Sequence, residues 1–194
     1  AFQEVLEHTL LITGEPMVDS YFDSYGNQVG TFTHARPHQE LVIDSKVLVE
    51  TIPRVMPEDT VSQDVQWLEL ETLKNQLEYI DFLRQEKFHA LPEVEKIIEA
   101  EQERHITPFE TAKHFNDYIY KHFEYKKGIT TVESTIDEVW KLRSGVCQDF
   151  AHLMVGCVRS QGLAARYISG YIETLPPPGQ TKLVGADASH AWAS

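Results

Sequence analysis

The chain has 194 residues, 42% of them apolar, enough for one ordinary domain or two small ones with a real core. Its formal net charge is −13, from 17 basic and 30 acidic residues. So acidic a chain is a poor candidate for binding phosphate backbones, and no nucleic-acid partner is expected. The charge is uneven: residues 141–194 carry five basic and three acidic residues, which leaves −15 on the first 140. The acidic part reads as solvated helix faces. No apolar stretch has the length of a membrane span, so no membrane association is expected. The opening "AFQEVLEHTLLITG" lacks the basic n-region of a secretory signal. Two cysteines, Cys147 and Cys157, are too few for a disulfide framework. On one helix they would stand roughly 15 Å apart, too far to bridge. A reducing, cytoplasmic setting is expected.

Residues 1–52 read as β-structure. "VLEHTLLIT" and "ELVIDSKVLVETI" are rich in Val, Ile, Leu and Thr with partial alternation. Gly26-Asn27, set between Tyr21, Phe22 and Val29, Phe32, signals a hairpin. His34 and His38 are four apart, but Pro37 between them argues against a helix that could present both to a metal; they read as loop or strand-end residues. "IPRVMPEDT" at 52–60 reads as a linker, dividing a β-rich domain with its linker (1–60) from a second domain (61–194).

From about residue 62 the period becomes helical. Trp67, Leu70, Leu73, Leu77 and Ile80 mark one face of a first helix. A second, shorter helix follows Pro92. A third begins at Thr107, with Pro108 at its first position and Glu110 completing a capping box. Its buried stripe is read as Phe109, Ala112, Phe115, Ile119 and Phe123 or His122. "STIDEVWKL" repeats the device with Thr135 and Glu138. A fifth helix is expected from about 146 to 161, ended by Gly162. "AARYISGYIET" alternates as a strand, "PPPG" is a rigid turn, and "TKLVGADASHAWAS" leads into another strand. The order strands, helices, strands indicates an α+β fold.

Chemistry is suggested by "RSGVCQDFAHLMVGC", residues 143–157. Cys157 falls on the apolar face of the expected helix and reads as core. Cys147 falls at the helix mouth, where the partial positive charge and unpaired N–H groups lower a thiol pKa and can hold an oxyanion. A nucleophile there needs a base within reach. His152 lies about 500° around the helix from Cys147 and points away. His190, in the small-residue strand "ADASHAWAS", is the other candidate. Arg166 is given a structural role, paired with Asp149 or with the acidic face. No calcium loop and no zinc-ligand spacing is present, and neither metal nor cofactor is expected.

"GVCQDFAHL", "RSQGLAARYISGY" and "GADASHAW", in that order, resemble the core motifs of the transglutaminase-like superfamily. More narrowly, they resemble bacterial transglutaminase-like cysteine enzymes of papain-like fold. "FEYKKGITTV" fits the same group, and "DSYGNQVGTFTHARPHQELVI" is similar to the β-rich N-terminal region of such proteins. The resemblance implies a core of helices packed on an antiparallel sheet over 61–194. It implies Cys147 as nucleophile and His190 as general base and acid, in acyl transfer or hydrolysis at amide bonds of proteins or peptides. Trp192 and Tyr125 are candidates to line the substrate groove, or to pack beside the site. The family's third catalytic member is an aspartate a strand beyond the histidine, and this chain stops at Ser194 before such a motif. Asp187 and Asp149 both face away from the pair by strand and helix geometry. The core is therefore expected to be truncated at its C-terminus. Its triad would be incomplete, and an open sheet edge beside "SHAWAS" would invite self-association. The alternative is a non-catalytic peptide-binding or assembly module.

Overall fold

The computed structural model describes residues 2–53, 60–102, 106–172, 179 and 189–194. The backbone divides into two compact units, 1–58 and 59–194. The sequence-predicted boundary segment overlaps 54–59, and the "PPP" turn and Asp187 fall in 173–178 and 180–188, all outside the described residues.

The first unit is two antiparallel pairs. β1 (Phe2–Ile12) pairs with β4 (Ile43–Ile52), with a bulge between Val5 and Glu7. β2 (Val18–Phe22) pairs with β3 (Gln28–Phe32). The turn between β2 and β3 is tied by Asp23, whose carboxylate accepts from the N–H groups of Tyr25 and Asn27 at 2.9 and 2.8 Å and from the Asn27 amide. Those bonds, Asn27's first, hold the Asp23 carboxyl below the usual range. Gly26 at φ +79° supplies the left-handed residue the turn needs. His34 and His38 lie in a loop, and both Nδ1 atoms bond the Arg36 carbonyl, at 3.1 and 3.0 Å.

The second unit begins with α1 (Gln63–Leu73). The sequence predicts that this helix runs on through Leu77 and Ile80. It does not: Gln76 is extended, a 3₁₀ turn covers Leu77–Tyr79, and α2 is Ile80–Leu83. Leu77 is 86% exposed. The reason is tertiary. The carbonyls of Phe82 and Arg84 accept from the Ala165 N–H and the Arg159 guanidinium, both at 2.9 Å, which draws this segment out of the helical path.

α3 (Leu91–Gln102) buries Val94 and Ile98 completely. α4 (Pro108–His122) and α5 (Ile136–Leu142) both start with full capping boxes, Thr107 with Glu110 and Thr135 with Glu138. The buried stripe of α4 is Thr111, Phe115 and Ile119; Phe109, read from sequence as part of it, is 45% exposed. Six residues before Phe115, Phe109 stands about 240° around the helix.

α6 (Cys147–Ser160) is the central element. Its Leu153, Val155, Cys157 and Val158 pack with Phe88, Val94, Ile98, Phe115, Ile119, Phe123, Val139 and Trp140. Burying each large aliphatic side chain here contributes roughly 1.5–3 kcal/mol. Gly162 at φ +75° ends α6 with two bonds, Gly162 N–H to Arg159 C=O at 2.9 Å and Leu163 N–H to Val158 C=O at 3.2 Å. The chain then forms β7 (Tyr167–Tyr171), which pairs antiparallel with β8 (Ser189–Ala193). β8 lies along α6, and Ala193 packs on the core. The fold is α+β, with helices and an antiparallel strand pair gathered around α6.

Candidate active site

The approach to Cys147 is built from the end of α5. Arg143 caps that helix in the left-handed region, φ 51° and ψ 30°, which costs an L-residue roughly 1–2 kcal/mol. Aromatic stacking offsets this. The guanidinium carbon is 3.9 Å from the Trp140 ring centroid and 5.0 Å from that of Phe123, and Nη1 donates to the Tyr118 hydroxyl at 3.3 Å. The sharp turn leads into β6 (Ser144–Gly145), parallel to β5 (Glu124–Tyr125). The Glu124 and Lys126 N–H groups donate to the Arg143 and Gly145 carbonyls at 2.9 and 2.8 Å. Tyr125 thus stands beside Gly145, half exposed, its ring edge-on to Phe150 at 6.2 Å.

Cys147 is the first residue of α6 and is partly exposed. The N-cap, Val146, is extended and has no side-chain acceptor to give. Only the reverse half of a capping box forms: Asp149, at the third helical position, accepts the Val146 N–H at 2.7 Å. The N–H groups of Cys147, Gln148 and Asp149 have no acceptor among the described residues. Such a helix start favours negative charge and can hold an oxyanion. Asp149 itself is 4% exposed and also accepts from the Thr130 hydroxyl at 2.7 Å. A Cβ on Gly145 would stand 2.7 Å from Asp149 Oδ2, so only glycine fits there.

His190 lies opposite Gly170 in the β7–β8 pair, and Trp192 lies opposite Ile168. Strand alternation puts His190 and Trp192 on one face and Ala193, which packs on the core, on the other. No hydrogen bond joins Cys147 to His190 among the described residues. His152 is exposed on α6 and stacks on Tyr167, centroids 4.4 Å apart and planes 13° apart. A cleft of about 560 Å³ opens beside the first turn of α6, lined by Lys87, Ser134, Gln148, Asp149, His152 and Tyr167 among others.

Two expectations are revised here. Asp149 does not pair with Arg166; its carboxylate is taken by Val146 and Thr130, while the Arg166 guanidinium sits 6.0 Å over the Phe82 ring. Nor is Asp149 a bystander on the far side of the helix: its side chain reaches back over the first turn. Cys157 is 1% exposed, and burial pushes its thiol up to about 12, which keeps it a neutral core group. Sequence reading missed Thr130 and the aromatic seat of Arg143. An acid at the third position of a helix is a legible signal; its distant hydroxyl partner is not.

Residues 1–50 match the bacterial transglutaminase-like N-terminal region. Uncharacterized proteins of Mycobacterium tuberculosis and Mycobacterium bovis are 54% identical over 76 residues, 39% of this chain and 24% of theirs. An uncharacterized Mycobacterium leprae protein is 30% identical over 176 residues, 89% of this chain and 60% of its own. The chain thus spans less than two thirds of each of these relatives. A crystal structure of a "Putative Cysteine Protease" from Cytophaga hutchinsonii shares the fold, with a TM-score of 0.67 at 19% identity over 98% of this chain and 61% of that one. Residues 94–194, from α3 through the Cys147 helix to the His190 strand, match the core of the transglutaminase-like superfamily, and the chain belongs to that superfamily.

Proposed function

We propose that this protein carries out cysteine-dependent acyl transfer or hydrolysis at amide bonds of proteins or peptides, with Cys147 as nucleophile and His190 as general base and acid. One observation carries the reading: Cys147 opens α6 behind an N-cap that offers no acceptor to the leading N–H groups. Those groups favour the thiolate and suit an oxyanion. Superfamily membership and the fold shared with the Cytophaga protein support it.

In the first step His190 takes the Cys147 thiol proton, a Cys147 Sγ–carbon bond forms and the amide C–N bond breaks. The leaving nitrogen takes a proton from the His190 imidazolium and departs as ammonia or an amine. Water, giving a proton to His190, then bonds to the carbonyl carbon, the carbon–Sγ bond breaks, and Cys147 regains its proton from His190; an incoming amine would instead give transamidation. Tyr125, beside Gly145, and Trp192, on the His190 face, flank the substrate. The two unbridged thiols support a reducing, cytoplasmic setting.

A non-catalytic peptide-binding module is the second reading, favoured by the lack of a Cys147–His190 hydrogen bond among the described residues. Iodoacetamide titration across pH, with the two cysteines resolved by peptide mass spectrometry, separates the two. The enzyme reading expects Cys147 to alkylate faster than glutathione at neutral pH. Alkylation of Cys147 no faster than that of glutathione would leave the binding module.

A further inference from the structure

We infer that Asp149 is a positioning residue that fixes the start of the nucleophile helix while leaving its leading N–H groups free for substrate oxygen. The inference rests on Cys147 being the nucleophile. A conventional N-cap side chain accepts the N–H of the second or third helical residue, as Thr107 and Thr135 do for Glu110 and Glu138. At α6 that would fill the donors an oxyanion needs. Asp149 instead takes the N–H of Val146, the N-cap itself, at 2.7 Å. The helix start gains a tie and loses none of its free donors.

The same oxygen, Oδ2, takes the Thr130 hydroxyl at 2.7 Å. One buried atom therefore joins the backbone that enters the helix to the loop between β5 and α5. Gln148 makes a second, longer tie to that loop, from Nε2 to the Thr131 carbonyl at 3.5 Å. Gly145 closes the third side, since a Cβ there would stand 2.8 Å from the Asp149 Cβ. With Val146 N–H and Thr130 bonded to one carboxylate and Gly145 packed against it, the Gly145–Val146 peptide is held where the chain enters the helix. Cys147 is the next residue but one from Gly145, so that hold places the backbone from which its side chain projects.

A rival account is that Asp149 acts by charge, opposing the thiolate. Replacing it with Asn or with Ala distinguishes the two, because both remove the charge but only Asn keeps an oxygen for Val146 and Thr130. The readout is the rate and pH midpoint of Cys147 alkylation by iodoacetamide in the full chain, with urea melts as the fold control. Asp149→Ala is expected to slow alkylation at pH 7 about tenfold or more, as misplaced reacting groups do. Asp149→Asn should stay within about threefold of wild type, and Thr130→Val should fall between. Asn and Ala both faster than wild type would mean charge, not position, and would overturn the assignment. Asn as slow as Ala would mean that the retained oxygen does not hold the helix start, and overturns it too. So does an Ala variant as fast as wild type. If Ala does not fold, Thr130→Val decides: unchanged alkylation overturns the assignment. A wild-type Cys147 no faster than glutathione sinks the nucleophile reading and this assignment with it. A fast wild type with an unaffected Ala variant sinks the assignment alone.

Discussion

Trp192 lies across Gly170: a Cβ on Gly170 would stand 2.8 Å from the indole Cη2. The two residues share one face of the β7–β8 pair with His190. Gly170→Ala must push the tip of the indole, 37% exposed, off its present rotamer, which costs about 0.5–1.5 kcal/mol. Urea unfolding should show the loss, and tryptophan emission should shift. Adding Trp192→Phe should recover most of the stability. If the double variant is no more stable than Gly170→Ala, the indole is not what the methyl strikes.

On the proposed assignment, His190→Ala is expected to slow Cys147 alkylation at neutral pH on the order of tenfold, since the nucleophile loses its general base. His152→Ala should change it little, because that ring stacks on Tyr167 along the exposed flank of α6. Equal effects of the two substitutions would remove His190 from the reactive pair.

Val146→Ser gives α6 the side-chain cap it lacks. Its backbone is already extended, as an N-cap should be, with φ −121° and ψ −177°. Stability should rise by about 0.5–2 kcal/mol. The new hydroxyl accepts one of the leading N–H groups, so alkylation of Cys147 should slow. A gain in melting temperature with unchanged reactivity would show that those donors do not act on the sulfur.

Cys157 should be silent to a disulfide reagent at pH 8 in the folded protein and reactive once unfolded, giving one titratable thiol against two. Its pKa is raised by burial from 9.0 to about 12. Above pH 9 the unfolded chain gives up the thiol proton and the folded chain keeps it. Folding stability is therefore lost as pH rises from 9 toward 12, by about 1.4 kcal/mol per pH unit. Cys157→Ala should lack this component, so wild type and variant should converge or cross in stability as pH rises. Parallel stability curves would contradict the burial effect.

Local signals were legible and distant ones were not. Thr107 with Glu110 and Thr135 with Glu138 announce their helices because a capping box needs only four consecutive residues. Gly162 announces the end of α6 for the same reason. The break after Leu73 was invisible, because the partners that draw Phe82 and Arg84 aside lie at 159–165. At the site, the position of Cys147 follows from its place before an apolar stripe. The role of Asp149 was half legible: its third-position spacing is local, while Thr130 is 19 residues upstream. The pairing of His190 with Gly170 is a matter of register between segments that no local rule connects.

Arg143 makes the reactive end of the molecule conditional on its interior. A left-handed arginine persists only while something holds it, and here it is held by the faces of Trp140, itself 6% exposed in the core, and Phe123, by the Tyr118 hydroxyl and by the Glu93 carboxylate at 3.8 Å. Three residues, Ser144 to Val146, then lead to Cys147. A core that loosens around Trp140 would release Arg143 toward ordinary backbone angles and swing β6 away from β5 before α6 unravels. On heating, thiol reactivity should therefore fade at a lower temperature than helical circular dichroism, which makes Cys147 an early reporter of packing failure in the unit that carries it.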